Sequence, residues 1–221
     1  MSEVIESKEQ FFIRIREREQ RGCTFKRLRL SGVAAVGVDF TDVTFDSCDL
    51  DGMTLTGANL TRTTFVRTDV RKTLFDRAVV KRTTFTDCML TEVNFNHAQL
   101  EEVEFVRCDM DNAIFDHAYL GQCLFNVNRA YGLKLRNAVL IRCRFSQERA
   151  APELTRAQLT SAVFIETDFA GACLLRADVQ KAMLVKCNLH HALLRDAVTD
   201  SSVLVGCVTS GAELPSGLSS T

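Results

Sequence analysis

Hydrophobic residues recur at every fifth position over most of the chain. Stepping by fives from Phe40 to Phe145 gives 22 positions, and every one of them is apolar. Two residues before each lies a second series, running from Val38 to Cys143, in which 19 of the 22 members are Ala, Cys, Thr or Val. The three exceptions are Met53, Asn128 and Leu133. Because side chains alternate between the two faces of an extended segment, both series point to the same side.

This period fits neither a helix nor a flat strand. Five residues are not a whole number of helical turns, so the series would spread around the whole surface of an α-helix. In a flat strand, an odd period would put alternate repeats on opposite faces. A chain that bends once every five residues presents the same inward pair each time, and four such sides close a square coil. We therefore expect an all-β fold, a four-sided β-helix of about eight or nine coils.

Phenylalanine is distributed unevenly among the inward positions. Among positions 45, 55 and so on to 145, nine of eleven are Phe, whereas none of positions 50, 60 and so on to 140 is Phe. Since these two sets alternate around a four-sided coil, we expect two opposite sides to carry stacked rings and the other two sides to carry aliphatic residues.

The five-residue pattern does not cover the whole chain: it begins near residue 23, changes register once after Phe145 and ends near residue 205. Phe11, Phe12 and Ile15 lie among Glu and Arg at helical spacing, with Ser7 as a candidate N-cap. Nine residues rather than ten separate Phe145 from the next inward residue. The expected division is an N-terminal helical cap (1–22), a first repeat block (23–145), a projecting loop (146–153), a second repeat block (154–205) and a flexible tail (206–221). An uncovered last coil would expose strand edges, so we expect a homodimer through the C-terminal coils or a partner that covers them.

Charge and composition narrow the choice of partner. With 27 basic and 28 acidic residues, the net charge is −1, which provides no general attraction for nucleic acid or an anionic membrane. Neither a signal segment nor an apolar run approaching the ~20 residues of a membrane span is present, so we expect a cytoplasmic protein. The expected partner is a protein, without direct nucleic-acid binding and without a membrane.

The residues that could carry chemistry are better explained as structural. Eight of the nine cysteines occupy the small inward position, and no Cys-x-x-Cys pair occurs, which favours buried core thiols over a metal site or disulfides. His97 and His117 lie one coil apart and are expected to stack on the surface. No nucleophile-elbow, phosphate-binding or zinc-protease motif is present. We expect no catalytic residues, no cofactor and no metal.

Surface charges form columns with a spacing of 20 residues. Several pairs are opposite in sign: Asp42 and Arg62, Asp51 and Arg71, Arg67 and Asp87, Lys72 and Glu92, Lys81 and Glu101, Arg82 and Glu102, Glu166 and Lys186, Arg176 and Asp196. On one side, six carboxylates oppose only Arg71 and Lys72, a net charge of −4. This acidic strip consists of Asp49, Asp51, Asp69, Glu92, Asp109 and Asp111. Together with Gln147, Glu148 and Arg149 of the loop, these are the predicted partner-binding residues.

The repeat sequence resembles that of the pentapeptide-repeat family. Its pattern, A(D/N)LXX, is visible in Ala58-Asn59-Leu60, Cys48-Asp49-Leu50, Cys108-Asp109-Met110 and Ala177-Asp178-Val179, and the resemblance extends over about 180 of the 221 residues. It implies a right-handed quadrilateral β-helix that acts as a non-catalytic interaction scaffold. Similarity to the quinolone-resistance and self-immunity members implies a DNA mimic that binds DNA gyrase or topoisomerase IV. The helix-plus-repeats layout also resembles members associated with bacterial contractile, type VI-like secretion systems, which implies an adaptor or effector-associated role.

Overall fold

The computed structural model describes residues 3–145, 153–216 and 218. Within them one helix, α1, spans Lys8–Glu17. The strands in chain order are β1 Val4–Ile5, β2 Thr24–Lys26, β3 Thr44–Asp46, β4 Thr64–Val66, β5 Val79–Lys81, β6 Thr84–Thr86, β7 Gln99–Glu101, β8 Glu104–Val106, β9 Tyr119–Gly121, β10 Leu124–Asn126, β11 Val139–Ile141, β12 Arg144–Phe145, β13 Val163–Ile165, β14 Met183–Val185 and β15 Val203–Val205. Most of the predicted loop, residues 146–152, lies outside the described residues.

Each coil stacks on the previous one in parallel register, 20 residues further along the chain. Phe25 pairs with Phe45, and Phe45 pairs with Phe65. We name the four sides A to D after the inward residues at their centres, which in one coil are Phe45, Leu50, Leu55 and Leu60. Side A forms an eight-stranded parallel sheet from β1 to β12, and side D forms a seven-stranded sheet from β5 to β15. Sides B and C are joined by single bridges.

The four-sided, right-handed β-helix expected from the sequence is confirmed, but it has about ten turns rather than eight or nine. At the N-terminal end, β1 pairs with β2 and starts a coil before residue 23. At the C-terminal end, inter-coil hydrogen bonds continue past residue 205, where the amide of Leu194 donates to the carbonyl of Glu213 at 2.9 Å. The N-terminal extension is made by a strand of two residues, which is too short to show a five-residue pattern. At the C-terminal end, Cys207 and Leu214 continue the inward positions and pack against the core. The division into domains remains a prediction.

Two columns of phenylalanine rings fill the interior, on opposite sides as predicted. On side A, Phe65 and Phe85 stack with centroids 4.6 Å apart and planes 4° apart. On side C, Phe75 and Phe95 stack at 4.6 Å. The columns meet edge-on across the coil, with 6.2 Å between Phe75 and Phe85. This interlocked arrangement leaves the interior filled by side chains, and edge-to-face geometry is favourable for aromatic rings.

Helix α1 closes the N-terminal end of this interior. Ser7 caps the helix by accepting a hydrogen bond from the amide of Gln10 at 3.4 Å. Phe11 is fully buried, and its ring lies 4.9 Å from that of Phe25. Phe12, one position on, is 45% exposed. The helix therefore covers the first coil with a single aromatic side chain, and the expected N-terminal cap is confirmed.

The corners are made by residues in the left-handed backbone region. These residues lie two positions after most of the central inward residues, as at Arg62 (φ 56°), Lys72 (φ 54°) and Gly52 (φ 65°). Among the described residues, none of the non-glycine residues with positive φ is β-branched. A β-branched side chain is the most strained in this region, so the corner restricts one position of each repeat to glycine or an unbranched polar residue.

Two local departures interrupt the regular stack. The coil that contains the insertion is four residues longer than the others, since Val139 pairs with Val163 and Lys134 bridges Gln158. The expectation that Asn128 occupies an inward position is wrong: Asn128 is exposed, and Val127 is buried instead. Burying the amide side chain would have cost more than shifting the backbone by one residue, because a buried polar group needs hydrogen-bond partners.

Candidate interaction surfaces

The predicted acidic strip lies on side B. Its six carboxylates occupy four consecutive coils, in which Asp49 bridges Asp69. The same ladder is bounded by two arginines, because Arg29 bridges Asp49 and Arg129 bridges Asp109. The net charge of −4 refers to the four central coils only and therefore does not include Arg29 and Arg129. The strip is therefore an acidic segment closed at both ends by positive charge.

Several of these carboxylates have a structural role in the turn. A side-chain oxygen of Asp49 accepts a hydrogen bond from the amide of Asp51 at 3.1 Å, and Asp69 accepts one from the amide of Arg71 at 3.1 Å. Asn59 accepts from Thr61 in the same way. This local turn accounts for the preference for Asp or Asn at the second position of the repeat. A negative charge is not needed there, since asparagine makes the same bond.

Other carboxylates of the strip are neutralised by arginine. Partial burial opposes ionisation of Asp69, but hydrogen bonds from Arg71 outweigh it and hold the pKa of Asp69 below its usual value. The closest approach is 2.6 Å between Arg71 Nη2 and Asp69 Oδ2. Arg129 lies 3.0 Å from Asp111 and 3.9 Å from Asp109. The expected pair of Asp51 with Arg71 does not form, because the nearer Asp69 on the same turn takes the guanidinium.

Three carboxylates of the strip, Asp49, Asp51 and Glu92, form no ion pair among the described residues. The pKa of Arg71 is raised chiefly by its hydrogen bond to Asp69, with smaller contributions from Asp51 and Asp49. One carboxylate oxygen of Asp51 is buried and has no hydrogen-bond partner within this part of the chain. The other predicted contact residues, Gln147, Glu148 and Arg149, lie outside the described residues. The chain re-enters the described part on side B at Glu153, which bridges Cys173.

The predicted charge pairs between coils are confirmed in part. Ion pairs join Asp42 to Arg62 at 2.6 Å, Lys81 to Glu101 at 2.9 Å and Arg82 to Glu102 at 3.0 Å. Elsewhere a charged side chain chooses a different neighbour. Arg67 reaches the diagonal neighbour Asp46 rather than Asp87. Asp87 pairs instead with Arg107 of the following coil, and Glu166 pairs with Arg142 of the preceding coil rather than with Lys186 of the following one.

The cysteines are free thiols with a structural hydrogen bond. Cys48, Cys88 and Cys108 lie 3.2 to 3.4 Å from the carbonyl oxygens of Phe25, Phe65 and Phe85, each 23 residues earlier. Thr68 makes the equivalent contact with Phe45 at 3.1 Å. Burial raises the pKa of Cys48 to about 11 and that of Cys187 to about 12, so both thiols stay protonated at neutral pH. The small inward position thus favours residues that are compact and can donate a hydrogen bond.

The predicted histidine stack is present on the surface. The rings of His97 and His117 are 4.9 Å apart and 10° from parallel, and both side chains are exposed. Within residues 3–145, 153–216 and 218, no group of three or more His, Cys, Asp or Glu side chains is placed to hold a metal ion. In the same ranges, no helix has the length and hydrophobicity required to cross a membrane.

A second surface, on side D, was not predicted. In the side D strands β11, β13, β14 and β15, every outward residue is apolar. We call this the apolar face, and it consists of Val139, Ile141, Val163, Ile165, Met183, Val185, Val203 and Val205. Met183, Val203 and Val205 are 43–45% exposed. The signal in the sequence was four strand segments of three consecutive apolar residues, since each of the other three-residue strands contains at least one polar residue or glycine.

Comparisons with known proteins agree with this architecture. Residues 38–107 match a family model described as pentapeptide repeat region. A comparison with curated proteins found no match.

Two solved structures share the fold over nearly the whole chain. HetL, a pentapeptide repeat protein involved in heterocyst differentiation regulation from the cyanobacterium Nostoc sp. strain PCC 7120, is 19% identical, with a TM-score of 0.53 over 97% of this chain and 99% of HetL. Full-length QnrB1, a plasmid-mediated fluoroquinolone resistance protein, is 18% identical, with a TM-score of 0.60 over 87% of this chain and 94% of QnrB1. At these identities the likeness shows the fold alone. The family match over residues 38–107, and the coils that continue on both sides of it, show a pentapeptide-repeat β-helix.

Proposed function

We propose that this protein is a non-catalytic scaffold that binds a protein partner through side B. Pentapeptide-repeat proteins are generally structural or interaction proteins. The observation that carries the proposal is the set of carboxylates that form no ion pair among the described residues, Asp49, Asp51 and Glu92, on a rigid, flat side. A partner with a basic patch would find there a fixed charge pattern with little conformational entropy to lose. Gln147, Glu148 and Arg149, which precede side B along the chain, are proposed to extend this contact.

The test uses charge-neutral substitutions that preserve shape. The triple variant Asp49→Asn, Asp51→Asn, Glu92→Gln keeps the turn hydrogen bonds and removes three negative charges. The control variant Glu101→Gln, Glu102→Gln, Glu104→Gln removes three negative charges from sides D and A. Tagged proteins would be used to capture partners from host lysate, followed by mass spectrometry.

The expected result is a protein with a basic surface that binds the wild type and the control variant but not the side B variant. Its capture should also weaken as ionic strength rises, because exposed charges are screened by salt. Equal capture by all three proteins would contradict the role of side B.

A narrower function is supported by the structural similarity to QnrB1, a fluoroquinolone resistance protein. In this version the chain imitates duplex DNA and binds gyrase or topoisomerase IV. The charges of side B support this DNA-mimic function only in part, because arginines interrupt the row of carboxylates. A gyrase supercoiling assay with fluoroquinolone is the direct measurement: protection by the wild type and loss of protection in the side B variant are expected. No effect in molar excess over gyrase would exclude this version and leave the general scaffold standing. The secretion-system role remains a prediction.

A further inference from the structure

We propose that the cleft beside the C-terminal end of α1 binds the carboxylate of an aliphatic amino-acid residue, either a free amino acid or the last residue of a polypeptide chain. This end cleft lies between the helix and the corner at which side C meets side D in the coil of Phe25. Its volume is about 590 Å³, within the range of small-ligand sites, and its lining includes Ile15, Arg18, Gln20, Val36, Val38 and Asp39. It shares no residue with the acidic strip, so it is separate from the proposed function.

The end cleft exists because α1 does not cover this corner. The helix ends at Glu17, and Arg18 follows in the left-handed backbone region with φ 60°. Gln20 ties the returning chain to side D, since its Nε2 donates a hydrogen bond to the carbonyl of Asp39 at 2.5 Å. At the corner itself, Gly37 has open space where a Cβ would lie, with no atom within 4 Å. A gap therefore remains between the helix and the coil.

Part of the lining of the end cleft is aliphatic. Ile15 and Val38 are partly buried against the core, and Val36 is 62% exposed. An aliphatic side chain of a ligand that packs against these three residues would remove apolar surface from water on both partners. The lining therefore favours a ligand with a group of the size of a valine or leucine side chain.

The end cleft also contains an arginine without a carboxylate partner. Arg14, Arg16 and Arg21 each pair with a carboxylate, at 2.6, 3.4 and 3.2 Å, whereas Arg18 forms no ion pair within the described ranges of the chain. A guanidinium binds a carboxylate through two parallel hydrogen bonds. The anionic group of the ligand is therefore expected at Arg18, and Arg21, which also lines the cleft, adds positive charge nearby.

Hydrogen-bond acceptors that lack a donor lie in the same cleft. Gln20 is 4% exposed, and its Oε1 has no hydrogen-bond partner in the part of the chain that the structure describes. Asp39 uses Oδ1 to accept a hydrogen bond from the amide of Thr41 at 3.0 Å, which leaves Oδ2 for a ligand. Buried acceptors are normally satisfied, so the ligand is expected to supply an N–H group. An aliphatic group, a carboxylate and an N–H group are the three substituents that an amino-acid residue carries on its α-carbon.

Titration of the ¹⁵N-labelled full chain with three probes, followed by NMR, tests this assignment. Leucine and N-acetyl-leucine both carry the carboxylate, whereas N-acetyl-leucinamide has a neutral amide in its place. Saturable shifts of the Gln20 and Gly37 amide signals are expected with at least one of the two acids, and binding of N-acetyl-leucinamide should be about tenfold weaker or more.

The two acids distinguish the two sources of the ligand. Binding of N-acetyl-leucine, whose nitrogen is acylated as in a polypeptide, identifies a chain end, and binding of leucine alone identifies a free amino acid. The absence of a saturable shift with either acid at millimolar concentration would overturn the proposal, and so would equal binding of N-acetyl-leucinamide.

Charge variants test the role of the unpaired arginine. Arg18→Gln is expected to weaken binding of the preferred acid about tenfold or more. Arg18→Lys should weaken it less, because lysine keeps the charge but not the paired hydrogen bonds. Arg16→Gln removes a positive charge from the same helix outside the end cleft and should bind like the wild type. Equal affinity of Arg18→Gln and the wild type would contradict the proposal.

A steric variant tests the position of the ligand without changing charge. Gly37→Asn adds a side chain at the open corner and is expected to abolish binding. Asparagine already adopts the left-handed conformation at the same corner, at Asn137 with φ 56°, so the variant is expected to fold, which circular dichroism would verify. Gly57→Asn makes the same change one coil further on and should bind normally. Normal binding by Gly37→Asn would place the ligand elsewhere and overturn the proposal. All these variants keep the carboxylates of side B, so none of the results bears on partner capture by that side.

Discussion

At the scale of single residues, the small inward position combines a packing requirement with a hydrogen-bonding requirement. Thr68 and Cys48 both fit between coils and approach the carbonyl oxygen of a phenylalanine 23 residues earlier. These carbonyl groups belong to strand residues, so their oxygens accept no hydrogen bond from the backbone amide of a turn. Val103 occupies the equivalent position elsewhere without donating a bond, which shows that shape alone satisfies the packing. The hydrogen bond is an added contribution.

Replacing Thr68 by valine removes the hydroxyl from this position, together with its contacts to the Val66 carbonyl at 2.9 Å and the Cys48 amide at 3.3 Å. The substitution keeps the shape, removes the hydroxyl donor and leaves the Phe45 carbonyl with one partner fewer. We expect the free energy of unfolding to fall by about 1 kcal/mol, measured by urea denaturation. Thr68→Cys, which restores the chemistry found at Cys48 and Cys88, should cost less than the valine. Equal losses in the two variants would show that the carbonyl contact has no energetic role.

The pair of Asp42 and Arg62 predicts a specific pH dependence. The hydrogen bond from Arg62, with a further contribution from Arg21, lowers the pKa of Asp42 to about 2. Because the folded state holds the carboxylate ionised, its stabilising effect is present above the ordinary pKa of about 4 and is lost as the pH falls from about 4 to about 2.

The urea midpoint of Asp42→Asn should therefore lie below that of the wild type at pH 6, and the two should converge as the pH falls through about 2. The effect is small, since the pair is exposed. A difference between the two proteins that stays constant across this range would assign it to packing rather than to charge.

At the scale of elements, the coil needs a cover at each end because its interior is apolar over its whole length. Helix α1 supplies the N-terminal cover through Phe11, while β1 pairs with the exposed edge of β2. Leu214 and Leu218 are partly buried against the other end of the core. The amphipathic pattern of α1 was visible in the sequence. The pairing of β1 was not, because two residues carry no periodicity.

Phe11 and Phe12 form a matched pair for testing the cover. Phe11→Ala is expected to lower the free energy of unfolding by about 3 kcal/mol and to increase amide exchange in the first coil, since a buried ring against Phe25 is lost. Phe12→Ala changes an exposed ring and should have little effect on either measurement. Similar behaviour of the two variants would mean that α1 does not protect the end of the core.

At the scale of the whole molecule, the structure behaves as a stack of nearly equal units that contact only their neighbours. The spacing of 20 residues between paired strands is the property that permits this. The one long coil accommodates four extra residues between sides A and B without disturbing the register of later coils, as shown by the pairing of Val163 with Met183. Additions at a corner are tolerated, whereas additions within a side would misplace the inward residues.

Removing one coil tests this property. Deletion of residues 84–103 joins Thr83 to Glu104 and stacks the Phe65 ring directly on that of Phe105. The shortened chain is expected to fold cooperatively, with β-type circular dichroism and lower stability. Deletion of residues 84–105 removes two residues more and should abolish cooperative folding, because every later inward residue is shifted. A folded product from the second deletion would contradict the fixed register.

The sequence by itself determined the coil, its two aromatic columns, the helical cap and the structural role of the cysteines. The reason is that a period of five with two inward residues is compatible with one backbone path only, and burial of apolar side chains enforces it at every turn. The candidate surfaces were determined less well. Side B was identified from its charges, but the turn bonds of Asp49 and Asp69 and the closure by Arg29 and Arg129 appeared only in three dimensions.

Tertiary structure decided which outward residues meet. Arg67 reaches a diagonal neighbour, Asp46, and Glu166 pairs with the preceding rather than the following coil, and the sequence spacing specifies neither choice. The apolar face required the register across the long coil, because Val139 aligns with Val163 only after the insertion is placed at a corner. Inward residues are constrained by a crowded core and can be read along the chain, whereas outward residues acquire their neighbours only once the coils are stacked.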